Sequence, residues 1–369
     1  MHILMVSRAT LFSSPGGDTV QVVETAGHLQ KLGVAVDIKL TNEKIDYSAY
    51  DLIHFFNIIR PADILRHIRL NKLPFVVSTI FLDYEEAEKM NQQGWRRLVN
   101  TISSSDQIEY LKVIARWLLN GEPISHWSYL VKGQRRAIRH IITKAGYLLP
   151  NSDSEYDRLV RKYKSKNAYV VVPNGSRFFS TDEECKVDRD YVLCVARIEN
   201  RKNQLGLIKA LSKTDYKLII IGKPSPNHKK YYRACRLAAN EHVTFVDRVE
   251  PDQLRAYYAM AKVHVLPSWF ETTGLASLEA AAMGCNIVVT RKGDTEEYFQ
   301  DDAFYCDPSD EASIREAVNA AFEQPYREKL RERIFHYFTW EKAAEATLRV
   351  YNNMSATPDA TVQHSIASS

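Results

Sequence analysis

The 369-residue chain has only five cysteines and no long apolar run. The cysteines are odd in number and none has CxxC spacing, which favours a reducing compartment and argues against a zinc framework. No stretch approaches the roughly 18 consecutive apolar residues of a membrane-spanning helix. The first residues, MHILMVSRAT, carry no basic segment followed by a long apolar run. We therefore expect no signal peptide and a cytoplasmic protein.

A strong charge of either sign is also missing, because the formal net charge is only +4. So mild a basicity does not indicate nucleic acid as a partner, and no nucleic-acid-binding motif is present. Hydrophobic residues make up 45% and charged residues 25% of the chain, as is typical of globular proteins. The length then predicts two domains rather than one.

Two series of short, β-branched apolar segments alternate with helical patterns. This alternation predicts α/β architecture with two doubly wound, Rossmann-like domains and a ligand cleft at the carboxyl ends of their strands. A polar linker is predicted at 180–190. The predicted strands are 2–7, 34–40, 51–56, 75–79, 146–150 and 168–172, then 191–196, 217–221, 243–246, 263–266 and 286–290. The predicted units are an N-terminal domain at 1–180, a C-terminal domain at 181–336, a closing helix at 337–354 and a disordered tail at 355–369.

The most informative segment is 267–284, PSWFETTGLASLEAAAMG, which follows a predicted strand and opens a helix. The free N–H groups at such a helix start form an anion site, with Thr272 or Thr273 as the expected N-cap. Glu271 precedes the helix and Glu279 lies inside it. Carboxylates are good acceptors for vicinal sugar hydroxyls. The alternative is a capped helix with two solvated glutamates.

Two further segments follow predicted strand ends. Arg197 and Lys202, in ARIENRKN, supply a guanidinium and an ammonium suited to a phosphate. Ordinary surface charge is the alternative for them. Gly16 and Gly17, in SPGGDTVQ, allow a tight turn whose N–H groups face an anion. The alternative there is a helix start capped by Asp18.

Together these segments describe a diphosphate held from two domains beside carboxylates placed for a sugar. On these residues the chain resembles a family 4 glycosyltransferase of the GT-B fold, whose two Rossmann-like domains face each other across a cleft. The resemblance extends over about residues 1–351. It is carried by Glu271 and Glu279, which match the E-x7-E motif, by Arg197 and Lys202, by Gly16 and Gly17, by PNG at 173–175, and by the closing segment 338–351.

The resemblance implies a retaining transfer of a hexose from a UDP- or GDP-sugar to a hydroxyl of a glycan or lipid-linked acceptor. Synthesis of cell-surface polysaccharide, lipopolysaccharide or glycolipid is the expected setting. Neither a cofactor nor a metal is implied, because Arg197 and Lys202 neutralise the leaving diphosphate. The acidic stretch KGDTEEYF, with Asp294, Glu296 and Glu297, is interpreted as a solvated loop rather than a metal site.

The resemblance also assigns roles to single residues. Glu271 contacts the hydroxyls of the donor sugar, Glu279 takes the ribose hydroxyls, and Arg248 lies near the base. Backbone N–H groups at 273–275 hold phosphate and sugar, while the two glycines meet the diphosphate from the other domain. The implied catalytic residues are Arg197, Lys202 and Glu271. The implied donor-binding residues are Gly16, Gly17, Arg197, Lys202, Arg248, Glu271, Thr273, Gly274, Leu275 and Glu279.

On the acceptor side the chain departs from the family pattern. Many members carry His-Asp after the strand that corresponds to 75–79, where this chain reads STIFLDYEE. No acceptor-side histidine is supported, and Asn57 and Asp83 are the candidates that are left. Neighbouring basic and aromatic residues within 108–144 suit peripheral contact with an anionic membrane, which predicts a position at its inner face. The alternative is a helix pair with a solvated basic face. The basic residues of this predicted patch are Lys132, Arg135, Arg136 and Arg139.

Two other functions compete with transfer. A nucleotide-sugar epimerase of the same fold consumes its donor without any acceptor. A non-catalytic protein binds the nucleotide sugar and transfers nothing.

Overall fold

The computed structural model of the protein describes residues 1–82, 127–180 and 189–355, and the side chains of 127–132 are not among the described atoms. Asp83, the Lys132 side chain, most of the 108–144 region, the centre of the predicted linker and the tail from 356 lie outside this part of the chain. Cys185 also lies outside the described residues. The other four cysteines are buried free thiols.

A five-stranded parallel sheet organises the first part of the chain, in the order β2-β1-β3-β4-β5. Its central strands are buried along their whole length, as expected for a parallel sheet covered by helices on both faces. Its helix α3 contains a kink at Gly133. The elements are β1 His2–Ser7, α1 Gly17–Lys31, β2 Ala35–Leu40, β3 Leu52–Phe56, α2 Pro61–Leu70, β4 Phe75–Ser78, α3 Trp127–Lys144, β5 Tyr147–Leu149 and α4 Asp153–Tyr163.

The second part forms a six-stranded parallel sheet in the order β11-β10-β9-β6-β7-β8. The inner strands β6, β9 and β10 are almost wholly buried, as expected for a sheet covered on both faces, and apolar clusters lie on each side of it. The elements are β6 Tyr191–Val195, α5 Gln204–Leu211, β7 Lys217–Ile221, α6 Lys229–Ala238, β8 Val243–Val246, α7 Pro251–Met260, β9 Ala261–Leu266, α8 Leu275–Ala282, β10 Asn286–Thr290, α9 Thr295–Phe299, β11 Phe304–Cys306, α10 Glu311–Glu323, α11 Glu328–Tyr337 and α12 Trp340–Ser355.

The predicted strand at 168–172 is wrong as a regular strand, because only Tyr169 forms a bridge, with Leu148. The backbone does run beside β5: the amides of Val170 and Val172 donate to the carbonyls of Leu148 and Pro150. Pro150 has no N–H to return a hydrogen bond, so the ladder ends there. The short edge strand β11 was not predicted.

The chain crosses between the two sheets twice. Phe178 already packs in the core of the second sheet, while Trp340 and Tyr351 of α12 pack in the core of the first. The crossings run side by side, since the Ser176 amide donates to the Phe338 carbonyl. A Cβ at position 175 would lie 2.3 Å from the amide nitrogen of Trp340, so glycine is required for this close approach.

Candidate functional site

The loop between β9 and α8 presents Glu271 at the carboxyl edge of the second sheet. Helix α8 begins at Leu275, and its N-cap is Gly274 in the left-handed conformation with φ 63°. The expected threonine cap is therefore wrong. A Cβ at position 274 would lie 3.2 Å from Cγ of Glu271, so a bare backbone allows the loop to fold against this side chain.

Glu271 and Lys202 form a buried ion pair, with Lys202 Nζ 2.5 Å from Glu271 Oε2. The hydroxyl of Ser268 donates to the same oxygen at 3.0 Å. Burial alone raises the pKa of Glu271, but the charges of Lys202 and Arg201 outweigh it and lower that pKa below its ordinary value. The carboxylate is therefore ionised and oriented before any ligand arrives, and Lys202 lies against it rather than free in the cleft.

The backbone of Glu271 is fixed as well. Its amide donates to the carbonyl of Lys292, and its own carbonyl accepts from the amide of Asp294, each at 3.0 Å. Gly293 lies directly opposite in this bridge. A Cβ at position 293 would lie 1.7 Å from the Glu271 carbonyl oxygen, so only glycine fits. The segment after β10 thus holds the loop after β9.

Glu279, inside α8, is buried and bonded through both oxygens. Arg177 Nε lies 2.6 Å from Oε1, and the Tyr258 hydroxyl donates to Oε2 at 3.2 Å. Burial raises the pKa of Glu279 although Arg177 opposes the shift. The alternative of two solvated glutamates is wrong for Glu271 and for Glu279 alike. Sequence reasoning missed Arg177, whose only signal is its place two residues after the PNG tripeptide at 173–175.

The two predicted phosphate-binding cations have different surroundings. Lys202 is buried against Glu271, whereas the Arg197 side chain is 51% exposed and its nearest described carboxylate is Glu199, at 4.0 Å. Glu199 is held more closely by Arg201, at 3.1 Å. An exposed guanidinium at a strand end can turn towards an anion. Arg248 is exposed on the loop between β8 and α7.

In the first domain, the glycine-rich loop is organised by Arg8, which sequence reasoning missed. Arg8 Nε lies 2.5 Å from Asp18 Oδ2, and its Nη2 donates to the Ser14 carbonyl at 2.9 Å. Gly16 is the N-cap of α1 and supplies no side-chain cap. Asp18 lies within the first turn, where its Oδ2 pairs with Arg8 and its Oδ1 accepts from the Thr19 amide at 3.0 Å. The alternative of a helix start capped by Asp18 therefore holds only in part, because Asp18 satisfies an amide of the first turn but is not the N-cap residue.

The glycine-rich loop and the start of α8 face each other. A Cβ on Gly17 would lie 3.5 Å from Cδ1 of Leu275, and Leu275 packs against the apolar core that includes β1. The structure therefore brings together the predicted loop of one domain and the predicted helix start of the other. The cleft between the sheets is narrow at this point.

A chain of hydrogen bonds crosses from one domain to the other behind this contact. Asn174 Nδ2 donates to the Thr273 hydroxyl at 2.9 Å, which donates to the Tyr298 hydroxyl at 3.1 Å, which donates to the Asn151 carbonyl at 2.9 Å. All four residues are buried. The Thr273 side chain is thus engaged in protein contacts, and only its backbone is available to a ligand.

The acidic stretch KGDTEEYF is not the solvated loop that was expected. Asp294 is buried, and its Oδ1 lies 2.5 Å from Nη1 of Arg158 on α4. Glu297 accepts from the amides of Asp153 and Ser154 at 3.0 and 2.7 Å. These are the first residues of α4, where a carboxylate satisfies free N–H groups. The stretch is an interdomain contact.

Only Glu296 of that stretch is exposed, and it pairs with Arg291. Within the described ranges, no group of three or more His, Cys, Asp or Glu residues is placed to hold a metal ion.

The predicted acceptor and membrane residues are only partly described. Asn57 follows β3 in the left-handed conformation, with φ 72°. Arg135 and Arg139 donate to the carbonyls of Lys162 and Tyr163, at 2.9 and 2.5 Å. They therefore satisfy the C-terminal end of α4, where positive charge is favourable. Arg136 is exposed. Among the helices described, none has both the length and the apolar composition needed to cross a bilayer.

Comparison with known proteins agrees with this geometry. Residues 177–337 match the family model described as glycosyl transferases group 1. The chain is 24% identical to the D-inositol 3-phosphate glycosyltransferase of Acidothermus cellulolyticus, over 92% of this chain and 86% of the relative.

Two solved structures share the fold over almost the whole chain. Sucrose-phosphate synthase from Thermosynechococcus elongatus superposes with a TM-score of 0.71 at 17% identity, covering 96% of this chain and 99% of the other. Anabaena Alr3699/HepE, solved in complex with UDP-glucose, gives 0.69 at 14% identity, covering 97% and 100%. The fold is GT-B, as predicted, and the family match together with the relatives supports a glycosyltransferase.

Proposed function

We propose that this protein is a retaining, metal-independent family 4 glycosyltransferase that moves a hexose from a UDP- or GDP-sugar to an acceptor hydroxyl. The observation that carries the proposal is the buried Glu271–Lys202 pair just before α8, whose first residue, Leu275, lies against Gly17 of the other domain. A preorganised carboxylate beside a helix N-terminus suits a sugar joined to a phosphate.

In such a transfer, different residues contact the sugar and the leaving diphosphate. The oxocarbenium-like transition state carries positive charge on the sugar and negative charge on the leaving diphosphate. Arg197, which is exposed at the end of β6, and the N–H groups at 273–275 meet the diphosphate. Glu271 accepts hydrogen bonds from sugar hydroxyls, and Lys202 keeps that carboxylate ionised. Gly16 and Gly17 bring backbone N–H groups from the opposite side.

Retention follows from substitution on one face of the sugar. The acceptor hydroxyl attacks the anomeric carbon on the side from which the diphosphate departs, and its proton passes to the leaving phosphate oxygen. The new C–O bond forms as the old one breaks, so the step needs no protein nucleophile. Glu279, held by Arg177 and Tyr258, keeps lone pairs for the ribose hydroxyls.

The proposed acceptor is a glycan or a lipid-linked glycan precursor, and the proposed place of action is the cytoplasmic face of a membrane. Arg135 and Arg136 on α3 are the exposed members of the predicted basic patch among the described side chains. Arg135 and Arg139 also bind the end of α4, so their charges serve the fold as well.

The first test is calorimetric titration of the full chain with UDP and GDP, once with magnesium and once with EDTA. We expect one nucleotide to bind equally well in both conditions. Nucleotide sugars carrying the base that binds then identify the donor through release of nucleoside diphosphate with and without acceptor. Binding of neither nucleotide contradicts the proposal, and consumption of donor without acceptor favours an epimerase.

The second test replaces Glu271. Glu271→Ala removes the carboxylate and leaves the buried Lys202 ammonium without its partner, which threatens the fold itself. Glu271→Gln keeps the shape and is the better variant. We expect it to lower kcat by about 10²-fold or more, as for loss of a transition-state contact. Asp190→Asn removes a carboxylate from the exposed pair with Lys217 and is the matched control. Equal turnover in both variants contradicts the role of Glu271.

A further inference from the structure

One arginine of the first domain contacts two residues, Phe270 and Asp294, that adjoin Glu271 in its loop. The Nη1 atom of Arg158, on α4, lies 2.5 Å from Oδ1 of Asp294. Its guanidinium carbon lies over the Phe270 ring, 5.1 Å from the centroid. Phe270 precedes Glu271 in the chain, and the Asp294 amide donates to the Glu271 carbonyl. Arg158 is therefore linked to Glu271 through Phe270 and through Asp294, and it does not contact the Glu271 carboxylate.

The surroundings make this contact sensitive to the distance between the domains. The side chains of Arg158 and Asp294 are 11% and 0% exposed, so each depends on the other rather than on water while the domains are in contact. Buried Glu155, one turn earlier on α4, also lies near Asp294. Without the guanidinium, the Asp294 carboxylate is buried with no compensating cation, which favours its displacement towards water.

Neighbouring bonds hold the same two elements together. Glu297 satisfies the first amides of α4, and the Tyr298 hydroxyl donates to the Asn151 carbonyl just before α4. Both residues belong to α9, which begins next to Asp294. The contact between α4 and α9 thus has three anchors, and the Arg158 anchor is continuous with the loop that carries Glu271.

We propose that Arg158 is a positioning residue, supplied by the first domain, that places Glu271 of the second domain for catalysis. Glu271 then adopts its working position only while α4 and α9 are in contact, so closure of the cleft and assembly of the site are one event. The catalytic consequence rests on the proposed function, whereas the positioning itself does not.

Hydrogen–deuterium exchange of the full chain tests the positioning. The variant is Arg158→Met, which keeps the stem and removes the guanidinium. We expect the amides of Glu271 and Asp294 to exchange at least about tenfold faster, while those of α10 are unchanged. The matched control is Glu296→Gln, which breaks the exposed pair with Arg291 on the same segment. Unchanged exchange at 271 and 294 in Arg158→Met overturns the proposal whatever the activity does.

Turnover supplies the second readout, with the donor identified by calorimetry. In Arg158→Met we expect kcat to fall by about 10- to 100-fold, as misplacement of a reacting group predicts, while the Kd for UDP or GDP stays the same. Arg158→Lys restores part of kcat because it keeps the charge. A merely structural role leaves kcat per folded molecule unchanged, which also overturns the proposal.

Two results distinguish failure of the proposed transferase function from failure of the proposed positioning by Arg158. If the wild type binds neither UDP nor GDP and Arg158→Met still frees the 271 and 294 amides, the proposed function fails and the positioning is supported. If Arg158→Met does not fold, Phe270→Leu removes the ring under the guanidinium and keeps most of the volume. Faster exchange at 271 in that variant supports the proposal, and unchanged exchange overturns it.

Discussion

At the scale of single residues, three buried carboxylates of the cleft each pair with a different cation. Glu271 pairs with Lys202, Glu279 with Arg177, and Asp294 with Arg158. A buried pair contributes little net stability, but loss of one partner is costly because a charge is left without compensation. The site is therefore preorganised by pairs, and single substitutions affect the remaining partner as well as the ligand.

Arg177→Met tests this at the predicted ribose site. The change removes the guanidinium from Glu279 and leaves a buried carboxylate with only the Tyr258 hydroxyl. We expect the free energy of unfolding to fall by about 1–3 kcal/mol and nucleotide binding to weaken, since the carboxylate is no longer held in place. Calorimetry and chemical denaturation measure the two effects. Arg233→Met, on the exposed face of α6, is the control, and equal behaviour of both variants rejects this role for Arg177.

At the scale of elements, the site is built where loops following neighbouring parallel strands meet. The loop after β9 carries Glu271, the loop after β10 carries Gly293, and the turn after β6 carries Lys202. Parallel strands place all three loops at one edge of the sheet, so residues far apart in the chain become neighbours. Glycine is essential where two of these loops touch.

Gly293→Ala tests the contact between the loops. The added Cβ overlaps the Glu271 carbonyl oxygen, so one loop must move away. We expect a loss of about 1–3 kcal/mol in stability together with loss of turnover. Gly27→Ala is the matched control, because Gly27 lies inside α1 with no atom within 4 Å of the new Cβ. The Gly27→Ala change favours the helix by about 0.5–1 kcal/mol. A Gly293→Ala variant that is as stable and as active as the Gly27→Ala variant contradicts the steric argument.

The ends of β4 and β5 converge on a buried glutamate. Burial, together with the charge of Asp294, raises the pKa of Glu155 to about 7, although its oxygens accept hydrogen bonds from the Thr79 hydroxyl and from the amides of Phe81 and Asn151. The ordinary value is 4.5. Between these two values the folded chain binds this proton more tightly than the unfolded chain does. Stability contributed by Glu155 is therefore lost as the pH rises through this window.

Glu155→Gln separates this effect from other titrations. The variant is less stable at pH 5, because an amide cannot accept all three hydrogen bonds, but it carries no proton to lose. We expect the gap in unfolding free energy between wild type and variant to narrow as the pH rises, by at most about 1.4 kcal/mol per pH unit. Denaturation at pH 5, 6, 7 and 8 measures the gap. A gap that widens shows that the three donors keep the pKa of Glu155 below its ordinary value.

At the scale of the whole molecule, helix α12 returns to the first domain. Tyr351 of α12 lies in the core of the first domain, and its hydroxyl is 2.7 Å from Nδ1 of His54 on β3. Burial lowers the pKa of His54 to about 3, so its ring is neutral and acts as a packed hydrogen-bonding group. The last helix is thus part of the first hydrophobic core.

Tyr351→Phe tests the contribution of this long-range contact. Loss of the hydroxyl leaves a buried nitrogen of His54 without that partner, which costs about 1–3 kcal/mol. We expect the first domain to unfold at lower denaturant concentration and the amides of β3 to exchange faster. Tyr337→Phe, on the exposed face of α11, is the control. Equal stability of the two variants shows that the contact between α12 and β3 does not depend on this hydrogen bond.

Much of the architecture was predictable from local pattern. Apolar periodicity predicted ten of the eleven strands in the described chain, because a parallel strand is a short buried run whatever its neighbours are. The segment 168–172 failed because a single proline interrupts the ladder. The stretch KGDTEEYF failed because its charges match an exposed loop, and nothing local shows that another domain covers them.

The amino-acid sequence by itself determined the two parallel sheets, the position of Glu271 before α8 and that of Glu279 within it. Those features depend on residues close together in the chain. Tertiary structure alone decided which cation each carboxylate meets: Lys202 lies 69 residues from Glu271, and Arg177 lies 102 from Glu279. It also decided that Arg158 of one domain supports the Glu271 loop of the other. Such partners are chosen by how the two sheets pack, because a buried charge must find its opposite wherever the fold places it.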